Sequence, residues 1–262
     1  MTDKTARLFH DRTGRLRHIV VRAKRALAIL GLTIFAFGGI IIACNRTLVP
    51  VFSQNTAEKQ TCYVIDAGHG GEDGGAVSPD GVVESTLNLA IAQRTRGLLS
   101  FLGTFTTMTR SGQEAIYSPG AVTLREKKRS DLENRAALVN RCEHGILVSI
   151  HQNSLPSAPS VRGAQVFFNS AAGANILAEQ VQQALNESVN AADHAKDAKQ
   201  IAASIYLMQQ IDCPGILIEC GFLSNAADTE NLQNSAYQTK LALATAAGIL
   251  RYENGASEYE SK

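Results

Sequence analysis

Four side chains of this 262-residue chain could do chemistry together: His69, Glu84, His151 and Glu219. His69 lies between glycines in Val64-Ile65-Asp66-Ala67-Gly68-His69-Gly70-Gly71. His151 follows the apolar run Ile146-Leu147-Val148-Ser149-Ile150, Glu219 follows Ile216-Leu217-Ile218, and Glu84 opens a helical repeat. Two imidazoles and a carboxylate are the set that zinc takes in catalytic sites, with a fourth position left for water. Zinc lowers the pKa of that water toward about 7 and polarises a bound carbonyl. A second carboxylate, off the metal, is then needed to move protons. The inventory of two His and two Glu fits water-driven hydrolysis of an amide. Taken singly, the residues have plainer readings. A histidine at a strand end is most often structural, and a glutamate in a first helical turn is favoured by the helix dipole. Glu219 resists such a reading, because a carboxylate straight after Ile-Leu-Ile is expensive to bury without a partner or a task. His10 and His18 precede an apolar segment, and His144 and His194 sit in polar contexts; all four read as solvated. The glycine loop lacks the Lys-Ser/Thr that a phosphate-cradling loop requires.

The elements that must position these residues follow from apolar patterning. Tyr63–Ile65, Thr104–Thr109, Ile146–Ile150, Ala164–Phe168 and Ile216–Ile218 are predicted strands, short apolar or β-rich runs. Helices are predicted over 84–100, 131–141, 171–190 and 237–252, with 111–129 as an exposed loop and 254–262 as a disordered polar tail. Strands alternating with helices argue for an α/β, three-layer fold with a mostly parallel twisted sheet flanked by helices. A parallel sheet throws all four residues toward one rim, the carboxyl end, where ligands bind in such folds. Gly68 and Gly70 are expected to remove bulk on either side of the imidazole and permit φ > 0, and Gly221 to let substrate approach the rim.

Charge divides the chain. Through Arg25 there are eight basic residues against Asp3 and Asp11; with a net charge of +1 overall, the remainder carries −5. A mildly acidic domain excludes nucleic acid as a natural partner, since such binding relies on neutralising phosphates. Ala26 to Cys44 is an uncharged run that as a helix spans roughly 28 Å, near the thickness of a hydrocarbon core. It is apolar on every face, which a buried surface helix is not. The basic cluster before it is expected to stay in the cytoplasm, placing the rest outside. A secretory signal has a shorter apolar core of about 7–15 residues, so a retained single-pass anchor in the cell membrane is preferred. A cleaved signal, giving a secreted domain, and a lipoprotein at Cys44 in Ile41-Ile42-Ala43-Cys44 stay open. The reading is therefore 1–25 basic cytoplasmic segment, 26–44 transmembrane anchor or signal, 45–60 stalk, 61–253 catalytic domain and 254–262 tail. Cys62, Cys142, Cys213 and Cys220 show no CxxC spacing and read as buried apolar cysteines, with pairing undecided.

Val-Ile-Asp-Ala-Gly-His-Gly-Gly, then a Glu, then Ser-Ile-His-Gln-Asn-Ser, then Ile-Leu-Ile-Glu-Cys-Gly-Phe-Leu-Ser-Asn resemble the zinc-dependent N-acetylmuramoyl-L-alanine amidases, in the family's order, from about Tyr63 to Tyr252. The resemblance implies Zn²⁺ as cofactor on His69, Glu84 and His151. It implies Glu219 as the catalytic proton shuttle, and hydrolysis of the amide between N-acetylmuramic acid and L-alanine. Thr109-Arg110 and Asp131 to Asn140 look like structural landmarks of the family. Cys220, the Asn-Ser-Leu-Pro loop after His151 and Ile205-Tyr206-Leu207-Met208 resemble the germination-specific, spore-cortex (CwlD-type) branch. The implied partners are the muramoyl stem peptides of peptidoglycan and the cell membrane; an activating protein partner stays open. Two rivals remain. A zinc carboxypeptidase-like peptidase uses similar residues, though with HxxE spacing where His69 and Glu84 are fifteen apart. A non-catalytic, membrane-anchored wall-binding protein would have no need of Glu219.

Overall fold

The computed structural model describes residues 60–190 and 194–260. Segments 1–25 and 26–44, the stalk up to residue 59 and the last two residues of the tail lie outside the described residues. Among the described residues, no helix is long and apolar enough to cross a membrane.

Six strands form one sheet in the order β2-β1-β3-β6-β4-β5: β1 (Cys62–Ala67), β2 (Thr106–Met108), β3 (Gly145–Asn153), β4 (Gln165–Phe168), β5 (Lys199–Gln200) and β6 (Gly215–Phe222). Strands β2, β1, β3 and β6 run parallel. β4 is antiparallel to β6, and β5 follows β4's direction. The sheet is thus mixed, a partial correction to the mostly parallel expectation. Strand β1, flanked by β2 and β3, is buried at every position, and both its faces carry apolar side chains. At the far edge β5 is two residues long, exposed and begins with Lys199, a short charged end to the ladder.

Among the described residues the α-helices are α1 (Glu84–Phe101), α2 (Leu124–Asn140), α3 (Ala174–Ser188), α4 (Tyr206–Gln210), α5 (Ala226–Gln233) and α6 (Ser235–Glu260). Alternate strand residues feed two cores. Tyr63, Ile65, Val148, Ile150 and Ile218 pack with Leu87 and Ile91 of α1, Leu177 and Val181 of α3 and Leu241 and Ile249 of α6. Cys62, Val64, Leu147 and Leu217 face the other way, onto Ala136 and Val139 of α2 and Leu207 and Met208 of α4. This gives the three layers expected.

Several boundaries differ from the sequence reading. α2 starts seven residues before the predicted helix, inside the expected loop. Thr123 accepts from the Glu126 amide (3.2 Å), and the Glu126 carboxylate accepts from the Thr123 amide (2.9 Å), a capping box that opens the helix there. The closing helix runs on to Glu260, through most of the tail expected to be disordered. The short helices α4 and α5 and the strand β5 had no counterpart in the prediction. The four cysteines of this region are free thiols, Cys62 and Cys220 buried and Cys142 and Cys213 half-buried. His144 is exposed as expected, but His194 is half-buried.

Candidate functional site

β3 and β6 carry their polar residues inside the strands rather than beyond them. His151 pairs in register with Glu219, which puts both side chains on one face, and β3 continues through an irregular step to Asn153. His69 sits just past β1, and Glu84 is the first residue of α1. These elements bring His69, Glu84 and His151 together, with one candidate ligand atom from each within 4.8 Å of the others. Glu84 Oε1 is 3.0 Å from His151 Nδ1 and 3.4 Å from His69 Nε2. The imidazole rings stand 5.0 Å apart, edge to face. All four sequence-predicted residues line one cleft of about 370 Å³.

Glu84 is buried (3% exposed) but thoroughly solvated by protein. It accepts from the amides of Ala76 (2.7 Å) and Gln152 (3.1 Å) and from Asn88 Nδ2 (3.2 Å). Burial alone would raise its pKa; the hydrogen bonds with His151 and His69 outweigh that and hold the carboxyl far below its usual range. For His69, burial works toward a lower pKa, but the carboxylates of Asp73 and Glu84 win and raise it to about 9. Asp73 Oδ2 is 2.9 Å from His69 Nδ1 and also pairs with Lys128 (3.1 Å). A carboxylate on the outer nitrogen orients the ring and leaves Nε2 facing inward, as in metal-ligating histidines. The field that favours a proton on His69 would equally favour a metal cation.

Glu219 is treated in the opposite way. Its Oε2 is buried without a hydrogen-bond partner. Burial pushes its pKa up, the imidazole of His151 opposes this, and the charge of Glu84 adds to it, leaving the group at about 7. A carboxyl poised there can take and return a proton near neutrality.

The loop that carries His69 is held from behind. Arg135 is 1% exposed and donates to Asp131 (2.7 Å), to Asp66 (2.6 Å) and to the carbonyls of Ala67 (2.7 Å) and His69 (2.6 Å). Arg110 donates to the carbonyls of Ala67 (2.8 Å) and Gly68 (3.1 Å). Three successive carbonyls are thus fixed, which supports His69 at φ 60°, a left-handed conformation unusual for a residue with a side chain. Asp66, at 1% exposure, also accepts from Thr109 (2.6 Å) and Ser149 (2.6 Å). Although its burial works toward a higher pKa, the charge of Arg135 and these hydrogen bonds bring its carboxyl down to about 2.

The glycines need correction. Gly68 does not have positive φ; a Cβ there would lie 2.2 Å from the ring of His151. Gly75, at φ +73°, would place a Cβ 2.5 Å from Glu84 Oε2 and 2.8 Å from His69 Cδ2. Both positions are bare because the cluster occupies the space. Gly221 does not face the rim; its Cβ would meet Asp228 and Leu232 of α5.

The sequence reading missed the supporting residues Asp66, Asp73, Asn88 and Gln152 as site components. Asp66 stands within Val-Ile-Asp-Ala, and the reasoning applied to Glu219, a carboxylate set into an apolar strand, could have found it. Arg110 and Arg135 fall within stretches noted only as structural landmarks.

A family model described as N-acetylmuramoyl-L-alanine amidase matches residues 64–251. The germination-specific N-acetylmuramoyl-L-alanine amidase of Bacillus subtilis (strain 168) is 38% identical over 189 residues, covering 72% of this chain and 78% of that protein. Among solved structures, the CwlD amidase from Clostridioides difficile, in complex with the GerS lipoprotein, superposes with a TM-score of 0.71. Its identity is 32%, over 74% of this chain and 99% of that one. The amidase AmiC2 of Nostoc punctiforme superposes with a TM-score of 0.62 and is 28% identical, over 74% and 97% of the two chains.

Proposed function

Because the chain belongs to the N-acetylmuramoyl-L-alanine amidase family and is an enzyme of that class, we propose that it works as a zinc hydrolase. In this reading His69, Glu84 and His151 hold the metal, and Glu219 carries the proton. The support is the donor set itself, two imidazoles and a carboxylate within 4.8 Å, beside a buried carboxyl oxygen with no partner. Zinc in such a site supplies Lewis acidity toward a carbonyl and a water of lowered pKa.

The chain's own residues do the rest. Glu219 accepts the proton of the attacking water and returns it to the departing L-alanine nitrogen, so its neutral and ionised forms must both be accessible. A pKa of about 7 meets that need. Asp73 holds His69 by Nδ1, and Arg110 and Arg135 keep the His69 loop in place. Family membership sets aside the carboxypeptidase-like and purely wall-binding readings.

The spore cortex is the proposed substrate, supported by likeness to the germination-specific relative. Ala26–Cys44 is proposed as an anchor that leaves the domain outside; protease added to intact protoplasts would remove it, and full protection would contradict this. A protein partner is proposed by analogy with the relative solved with a lipoprotein.

The test of the central reading incubates the full chain, with zinc, on purified peptidoglycan and on cortex. Mass spectrometry then follows stem peptides that begin in L-alanine. Chelator should abolish release and zinc restore it. Glu219→Gln should bind zinc yet lose turnover; unchanged turnover would remove the proton-carrying role.

A further inference from the structure

The catalytic residues occupy the carboxyl ends of the parallel strands, and the opposite pole carries an apolar patch that the reaction does not use. Phe101 (87% exposed) ends α1, Leu102 (50%) caps it, and Phe105 (54%) stands three residues on, just before β2. Three large apolar side chains within five positions are turned to solvent, a local concentration of the kind that interaction surfaces carry. The described domain begins at this pole. The amide of Tyr63, the second residue of β1, donates to the carbonyl of Phe105 (3.0 Å), so the start of β1 lies beside the patch. Residues 45–59, between the apolar run and the domain, are fifteen in number and can reach at most roughly 50 Å. The domain therefore cannot leave the neighbourhood of whatever surface holds Ala26–Cys44, though the tether alone would allow any face to turn toward it.

We propose that Phe101, Leu102 and Phe105 seat the domain on the outer surface of the bilayer, amino pole down, so that the cleft opens away from the membrane toward the wall. The proposal rests on the reading of Ala26–Cys44 as a membrane anchor. Apolar and aromatic side chains on a short protruding turn are suited to the headgroup boundary. The geometry also sets a height. β3 is nine residues long, so His151, near its end, stands on the order of 20 Å above the strand starts. A substrate strand would then be met at a fixed distance from the membrane rather than at any point the tether reaches.

The chain has no tryptophan, so a single Trp substitution is the only indole present. The full chain is reconstituted into anionic phospholipid vesicles as wild type, F101W, F105W and V122W. Val122, 79% exposed, lies between β2 and α2 on the catalytic pole and serves as the control. Flotation reports anchoring, and quenching by lipids brominated near the headgroup reports depth. F101W and F105W should be quenched and blue-shifted, while V122W should be unaffected. Floating vesicles in which neither Phe-site Trp is quenched would overturn the docking and leave the anchor standing. Quenching of V122W would overturn the orientation. A blue shift without bromine quenching would mean that protein, a second copy or a partner, covers the patch, which also overturns the proposal. A chain that does not float would overturn both readings.

Discussion

Replacing Gly68 by alanine tests whether the cluster is a working metal site or an incidental group of polar residues. A Cβ at Gly68 would lie 2.2 Å from Cε1 and Nε2 of His151. Ordinary contact needs about 3.4 Å or more, so the ring must move by more than roughly 1 Å. The backbone cannot yield in its place. The Gly68 amide donates to Ile150 (3.1 Å), and its carbonyl accepts from Asn88 and from Arg110 (3.1 Å each). Metal ligands tolerate errors of only about 0.2 Å, so the displaced imidazole is lost as a ligand. Zinc affinity should fall by at least the 10–100-fold that the loss of a mere supporting residue costs. Overpacking should cost the fold about 1–3 kcal/mol. The assay is a competition titration against a chromophoric chelator, with urea unfolding in parallel. Gly97→Ala is the control: it lies within α1, with open space where the Cβ would go, and should leave zinc affinity unchanged while stabilising by up to about 1 kcal/mol. Wild-type zinc affinity in a folded Gly68→Ala protein would refute the assignment of His151 as a ligand.

Asp73→Asn keeps the shape beside His69 but removes the charge on Nδ1; zinc affinity should drop about 10–100-fold with little change in the urea midpoint, as the same titration would show. For Asp66, the folded pKa of about 2 lies below the ordinary 3.8, so its stabilisation is present above about pH 4 and is lost as pH falls through about 2; the difference corresponds to about 2 kcal/mol. Urea unfolding from pH 7 to 2.5 should show that loss in the wild type and not in Asp66→Asn, and parallel curves would refute it. Cys62 is pushed up to about 12 by burial and by Cys142, so iodoacetamide at pH 8 should leave it unmodified in the folded protein and label it in urea, read by peptide mass mapping.

The site was more legible in the sequence than the sheet that carries it. His69, His151 and Glu219 each follow an apolar run, and burial next to such a run is costly for a polar group, so composition alone made them conspicuous. Strand direction leaves no such mark. Val166 and Phe168 read equally well in either orientation, and only the pairing with β6 shows β4 to be reversed. The start of α2 was written in Thr123-Leu-Arg-Glu126 as a capping box, but the dense charge of 125–129 was taken for a loop. Asp73 could not be found by pattern, since its role depends on a turn that folds it back onto His69. The reason for Gly68 was also hidden, because the ring it makes room for comes from eighty-three residues away.

In the proposed mechanism one cleft gives two roles to one side-chain type. Both lie beside the same two imidazoles, Glu84 buried and Glu219 half-buried with its Oε2 out of solvent, and the charge of either works against ionising the other. What separates them is the supply of donors. Glu84 sits where α1 begins and is met by the Ala76 and Gln152 amides, by Asn88 and by both histidines, so its ionised form is fully compensated. Glu219 projects from the interior of β6, where the neighbouring backbone groups are already committed to the ladder, and Oε2 finds no donor. The first is therefore fixed as an anion, the state a metal ligand needs. The second is held near the point where a proton is as easily taken as given. Exchanging the roles would require moving the donors rather than the acids. The proposed assignment of Glu84 to the metal and Glu219 to the proton thus has its support in the backbone around them, and the proposed site includes Asn88 and Gln152 alongside the residues they support.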